Sequence, residues 1–205
     1  HNRKRGDAVL FRRRGRVALQ TYGAESLKKK SLPVTVFDHE LVELARVMTT
    51  VMHDLNGIGL AAVQIGIHCD LIVLDIARES MGDPPTPGEL QLLPQMPLAL
   101  VNPEIVASGG EIVPYEEGCL SVPELYAPVM RPRIVRVKAQ DLSGNQLEFE
   151  AGGLLARCIQ HEIDHLQGVL FVDRLSDEAR QGIADGLAGL ERRGRRLHFQ
   201  REMKI

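Results

Sequence analysis

Tryptophan is absent from these 205 residues and aromatics make up only 4% of them, so aliphatic side chains must carry the core. No window approaches the ~18 consecutive apolar residues of a membrane-spanning helix, so no membrane partner is expected. Cysteine is scarce and odd in number: Cys69, Cys119 and Cys158 are the only three. That argues against a disulfide framework and for a reducing compartment. Net charge is nearly absent too, at −2, but the small sum conceals an asymmetry. Residues 1–30 carry +8 and residues 191–205 carry +4, which leaves −14 for residues 31–190. Basic ends on an acidic body suit contact with a polyanion such as RNA, set against the plainer reading of two solvated tails.

What is present fits one domain of ordinary size. Residues 1–20 are Arg-rich and nearly free of acids, and are expected to be a basic extension outside the core, such as a leader remnant. Residues 21–190 are expected to form the catalytic domain, and 191–205 a basic tail. From Asp38, Leu41, Leu44, Ala45, Met48, Val51 and Met52 recur at helical spacing until Asn56-Gly57 stops them. Leu71 to Ile76 suits a buried strand. Residues 80–97 hold five prolines and two glycines and read as an irregular loop. Residues 98–106 and 111–115 look like separate short strands. Alternation at 135–139 and 147–150 around Ser143-Gly144-Asn145 predicts a hairpin. Gly152-Gly153 opens a helix closed by Gly168, a strand at 169–172 follows, and Ser176 caps a last helix to Leu190. The class is α+β, with mostly antiparallel strands packed around a central metal-binding helix and a C-terminal helix.

The segment Gln160-His161-Glu162-Ile163-Asp164-His165 carries the chemistry. Histidines four apart share one helix face and can converge on one metal ion. Glu162 stands beside that ion, where a carboxylate can take a proton from water activated there. The pattern alone also fits a surface helix with two histidines and two acids. The thiolate of Cys119, in Glu117-Gly118-Cys119-Leu120-Ser121, can supply a third ligand, although a free cysteine is more often a small core residue. Cys158 competes for that place. From Cys158 to His165 a straight helix rises about 10.5 Å, too far for one ion with ~2 Å bonds. Cys119 is therefore the better candidate, and Cys158 suits a pocket wall or the core. In Gly57-Ile58-Gly59-Leu60-Ala61-Ala62-Val63-Gln64, the two glycines lack the strand-then-helix setting of a phosphate loop. Gly59 better suits close backbone approach to an extended ligand, and the Gln64 amide can donate to an oxyanion, although a tight turn into a packed Ala-Ala strand or helix start fits the segment alone equally well.

These three motifs, in this order, resemble peptide deformylase. The resemblance covers roughly 22–180 and includes Asn102-Pro103-Glu104-Ile105 and the stretch from Gly168 to Ser176. It implies hydrolysis of the N-formyl group from the initiator methionine of nascent chains, with release of formate. By the same resemblance Gly59 pairs with the peptide backbone. Ile58, Leu154, Arg157 and Cys158 border the methionine pocket, and Glu117 and Arg131 form a supporting ion pair. The implied cofactor is Fe²⁺, which Zn²⁺, Ni²⁺ or Co²⁺ can replace. The implied partners are N-formyl-methionyl nascent peptides and, through the basic tail, the ribosome. The implied location is the bacterial cytoplasm, or an organelle matrix or stroma if residues 1–20 are a leader remnant. Three features depart from the family pattern: Val63, Tyr126 where some members carry a substrate-contacting arginine, and a longer segment at 80–97.

The residues suit that chemistry in their own right. One thiolate and two neutral imidazoles leave a divalent ion with a position open for water. The Gln64 amide and the Leu120 backbone N–H can hold the oxyanion while Glu162 returns the proton to the leaving amine. Two rivals rank lower. A zinc endopeptidase usually takes a third His or Glu ligand, and a structural metal site needs a fourth protein ligand.

Overall fold

The computed structural model describes residues 17–194 and 199–201. The chain enters as β1 (Val17–Leu19), makes a 3-10 turn at Glu25–Lys28, and reaches α1 (His39–Asp54). Asp38 starts α1 by accepting the backbone N–H groups of Glu40 and Leu41. The apolar stripe foreseen for α1 is buried. After α1 come β2 (Gly59–Ala61), a 3-10 turn at Ala62–Ile65, β3 (Leu71–Leu74) and α2 (Pro87–Leu92). Then follow the long β4 (Leu98–Cys119) and β5 (Val122–Gln140), β6 (Gln146–Ala151) and α3 (Gly153–Leu166). A 3-10 turn at Phe171–Arg174 leads into α4 (Asp177–Gly182) and α5 (Ala184–Gly194). Last is β7 (Phe199–Arg201), which pairs antiparallel with β1.

The main sheet has the order β2-β3-β4-β5-β6 and is antiparallel throughout. Strand β3 explains the layering. Its four residues are fully buried, and alternate side chains serve opposite faces. Ile72 and Leu74 pack with Leu155 and Ile159 of α3, whereas Leu71 and Val73 pack with Met48 and Met52 of α1. The sheet is thus held between two helices, and α3 is buried along most of its length. A third cluster seats Leu187 and Leu190 of α5 against Leu27, Val129 and Phe171. Helices and an antiparallel sheet with a C-terminal helix are the architecture expected from the sequence.

Several boundaries differ. Residues 98–119 form one strand, because β5 pairs along its whole length and absorbs the Gly109-Gly110 break as a register shift between Gly109 and Ile112. The segment 80–97 is an irregular loop only in part, over 81–86 and 96–97. Thr86 and Glu89 form a capping box, Pro87 occupies the first helical turn, and α2 packs on β6. Residues 171–174 coil as a 3-10 turn in place of a strand, since the Asp173 carboxylate takes the Leu170 N–H at 2.9 Å. The last helix breaks at Ile183 into α4 and α5, and α5 passes the expected boundary at Leu190. At the other end Leu19 is buried, so the core reaches ahead of residue 21. The rest of the expected extension, residues 1–16, lies outside the described residues, as do 195–198 and 202–205 of the tail.

Candidate metal centre and its cleft

Helix α3 delivers His161 and His165 one turn apart, their ring centroids 5.0 Å from each other. The hairpin end between β4 and β5 delivers Cys119. Its turn is tight on one side, where Cys119 pairs with Val122, and Pro123 to Leu125 bulge out before Gly118 pairs with Tyr126. The donor atoms of Cys119, His161 and His165 all lie within 4.8 Å of one another. Cys119 Sγ is 3.2 Å from His165 Nε2. One soft thiolate and two imidazoles, converged in this way, fit a divalent transition metal. Cys158 is absent from this group. Its thiol instead donates to the Ile58 carbonyl oxygen at 3.6 Å, and burial pushes its pKa up.

His161 is oriented from behind. Its Nδ1 faces Glu117 Oε2 at 2.9 Å, so the ring donates there and keeps Nε2 for a ligand. Glu117 is buried and bound twice by Arg131, at 2.7 and 2.9 Å, and once by Arg157 at 3.0 Å. Burial by itself would raise the Glu117 carboxyl, but hydrogen bonds from His161 and Arg131 outweigh it and hold the pKa down to about 2. Arg131 also donates to Asp164 at 2.7 Å, and Arg174 grips both oxygens of Asp164. Asp164 sits three residues after His161, on the same helix face. In the sequence Asp164 stood out only as part of the histidine motif, and no role was read from it.

Glu162 stands apart from this network. It is 4% exposed, and its Oε2 has no hydrogen-bond partner. Burial pushes its carboxyl up to about 7. Gln64 is equally buried and firmly held. Its Oε1 accepts the Ala61 N–H at 2.8 Å, and its amide N–H group donates to Ser121 Oγ at 3.1 Å and to Cys119 Sγ at 3.6 Å. The Gln64 amide therefore points at the Cys119 thiol.

The three motifs lock together through their glycines. A Cβ on Gly57 would meet the Leu120 side chain at 2.7 Å, one on Gly59 would meet Glu162 Oε1 at 2.4 Å, and one on Gly118 would meet the Tyr126 ring at 2.5 Å. Gly59 thus admits Glu162 and Cys158, a role that the expected approach of a ligand did not include. These contacts border a cleft of about 600 Å³. Its walls include Ile58, Leu120, Leu125, Leu154 and Cys158, with Tyr115 and Tyr126 at the exposed rim. Arg157 also borders the cleft, but its guanidinium is taken up by Glu117 and by the Val113 and Val129 carbonyls, and lies under Tyr115. Tyr115 and Ser121 were not foreseen.

Residues 17–181 match the sequence profile of a family described as polypeptide deformylase. The chain is 51% identical over 150 residues to the peptide deformylase of Rhodopseudomonas palustris, a match spanning 73% of this chain and 80% of that one. It is 46% identical over 160 residues to the peptide deformylase of a Synechococcus strain, spanning 78% of this chain and 74% of that one. Among solved structures it is similar to a peptide deformylase from Synechococcus elongatus in complex with actinonin, with a TM-score of 0.72 and 40% identity over 85% of each chain. A peptide deformylase from Legionella pneumophila gives a TM-score of 0.71 and 41% identity, covering 87% of this chain and 97% of that one.

Proposed function

The chain belongs to the polypeptide deformylase family, and on that premise we propose how its residues remove the N-formyl group from the initiator methionine of new polypeptides. Cys119, His161 and His165 would hold one Fe²⁺ ion, for which Zn²⁺, Ni²⁺ or Co²⁺ could substitute. When bound, such an ion would supply Lewis acidity for carbonyl polarisation and for making water more acidic. Everything else falls to the chain. The extended peptide lies along β2, which is the outer strand of the sheet, and pairs at Gly59. The methionine side chain enters the cleft between Ile58, Leu154 and Cys158, and Arg157 contributes its apolar stem.

Glu162 takes a proton from the attacking water as the new C–O bond forms at the formyl carbon. The Gln64 amide and the Leu120 backbone N–H stabilise the negative charge on the former carbonyl oxygen. As the C–N bond breaks, Glu162 returns the proton to the amine nitrogen, leaving a free terminus and formate. Glu117 and Arg131 fix the His161 ring during these steps. The observation that carries this reading is the buried, unpartnered Glu162 Oε2 beside three convergent donors.

The test is formate release from a formyl-Met tripeptide by protein reconstituted anaerobically with Fe²⁺, with metal content measured on the same sample. Release of formate with about one ion per chain is the expected result. Cleavage of internal peptide bonds in unformylated peptides would point to an endopeptidase and overturn the reading.

The partner reading extends to the ribosome, through the basic tail at 191–205. Working beside the exit of a nascent chain would raise the effective concentration of its formylated terminus. Arg192 is exposed at the end of α5, whereas Arg195, Arg196 and Lys204 lie outside the described residues. The compartment is the one where translation occurs, cytoplasm or organelle interior, kept reducing for the thiolate and the ferrous ion. Among the described residues no helix is long and apolar enough to cross a membrane.

A further inference from the structure

The 3-10 turn Phe171–Arg174 reaches His161 by two routes. Along the first, Phe171 lies against the imidazole, with centroids 6.2 Å apart and planes inclined by 22°. The second is a chain of charged hydrogen bonds. Arg174 holds Asp164 with a two-pronged grip, at 2.5 Å to each carboxylate oxygen. Asp164 accepts from Arg131 at 2.7 Å, Arg131 holds Glu117, and Glu117 faces His161 Nδ1 at 2.9 Å. The circuit closes through α3, on which His161 and Asp164 are neighbours one turn apart. Arg131, Glu117 and Asp164 are buried, while the Arg174 side chain is 45% exposed.

We propose that Arg174 is a positioning residue that, with Phe171 from the same turn, sets the direction in which the His161 ring presents its nitrogen to the ion. The inference rests on the reading of His161 as a ligand. Its physical basis is competition for Arg131. A guanidinium fork that satisfies both oxygens of Asp164 leaves Arg131 free to keep its paired grip on Glu117. Without Arg174, the buried Asp164 carboxylate has Arg131 as its remaining cation and draws it away from Glu117. Glu117 then loosens, and the imidazole it orients gains freedom to tilt. Lysine at 174 keeps the charge but cannot form the fork, so it restores the function only in part.

The turn has a built-in control. Arg180 braces the same turn by donating to the Val172 carbonyl at 2.7 Å, and it touches neither Asp164 nor His161. A role limited to holding the turn in shape would make Arg174 and Arg180 equivalent.

The experiment loads the full-length protein with Co²⁺ and records its visible absorption bands and its cobalt affinity against a competing chelator. Wild type, Arg174→Gln, Arg174→Lys, Phe171→Leu and Arg180→Gln are compared, with Tm measured for each and His161→Ala as the ligand control. Arg174→Gln should weaken cobalt binding about tenfold, at the lower end for groups that orient ligands from behind, and should shift the absorption bands. Arg174→Lys should fall between it and wild type, and Phe171→Leu should shift the bands in its own right. In formate release, kcat should fall for Arg174→Gln while KM holds. Arg180→Gln should lower Tm and leave the cobalt spectrum unchanged. If Arg174→Gln matches wild type in affinity and spectrum while His161→Ala strips the ion, the positioning role is wrong and the ligand reading stands. Equal spectral shifts in Arg180→Gln would likewise overturn it. Undiminished cobalt binding by His161→Ala would overturn both.

Discussion

Replacing Gly59 by alanine would place a Cβ 2.4 Å from Glu162 Oε1 and 2.6 Å from Cys158 Sγ. Ordinary contact begins at 3.4 Å, so the Glu162 carboxylate must retreat by about 1 Å or the strand must move away from α3. Neither is easy. Glu162 is buried on the most enclosed helix of the fold, and β2 is hydrogen-bonded to β3 along its length. Misplacing a reacting group by about 1 Å can cost about 100-fold in rate, and overpacking a tight interior typically costs about 1–3 kcal/mol. Gly59→Ala should therefore lower kcat/KM for a formyl-Met tripeptide about 100-fold, with a loss of a few degrees in Tm. Metal content should hold, because no proposed ligand touches Gly59. Adding Cys158→Ala would remove the 2.6 Å overlap and keep the one at 2.4 Å. The double variant should thus recover part of the Tm and little of the turnover. Formate release and metal analysis on the three proteins decide the matter. Near-normal turnover in Gly59→Ala with its metal in place would refute the tight placement of Glu162.

Glu162→Gln should retain metal and lose about 10²–10⁴ in kcat, since it removes the proton carrier and no ligand; near-normal turnover of metal-replete protein would sink the assignment. Cys119→Ser should weaken metal binding or change which metal is held, while Cys158→Ser should leave stoichiometry unchanged by metal analysis. The reverse pattern would mean that the ligand set is wrong. For Glu117, the folded pKa of about 2 lies below the ordinary 4.5, so the stability it adds is complete above about 4.5 and is lost as pH falls toward 2. Glu117→Gln should show a flatter acid limb in that window by chemical denaturation. It should also lose about 3–5 kcal/mol near neutrality, because Arg131 and Arg157 are left short of a buried partner. Truncation after Leu190 should reduce ribosome co-sedimentation at low salt and leave formyl-tripeptide activity intact. Equal co-sedimentation of both forms would remove the tail from the partner reading.

The parts of the fold legible in the sequence are those whose period is unambiguous. The stripe of α1, the hairpin of β5 and β6, and α3 with its histidines each repeat one spacing long enough to exclude the other. The short apolar run Val169 to Val172 could not be read this way, because four residues suit a strand or a tight helical turn, and the Asp173 side chain decides it by taking the Leu170 N–H. The pair Gly109-Gly110 looked like an end to a strand, yet β5 carries β4 through it, and that partnership is invisible to a local reading. Helix α2 was missed for a different reason. Thr86 and Glu89 spelled a capping box with Pro87 at the first helical position, but the surrounding prolines masked it. At the site, helix reach favoured Cys119 over Cys158, and it is Cys119 whose sulfur groups with the two histidines. The grip of Arg174 on Asp164 joins positions whose geometry depends on a turn that the sequence had suggested as a strand.

Helix α2 has a further consequence, in how the protein behaves at high concentration. β6 is the outermost strand of the sheet opposite β2, and an uncovered outer strand is a template on which other chains can pair. Gly88 of α2 sits so close to β6 that a Cβ there would come within 2.4 Å of the Glu150 carbonyl oxygen. The segment 80–97 thus stands guard over an adhesive edge, while its Leu92 and Leu93 belong to the core cluster of Leu155 and Ile159. Shortening it should therefore cost stability and leave a protein that clumps as its concentration rises. One short helix can thus set how crowded a cell this protein tolerates.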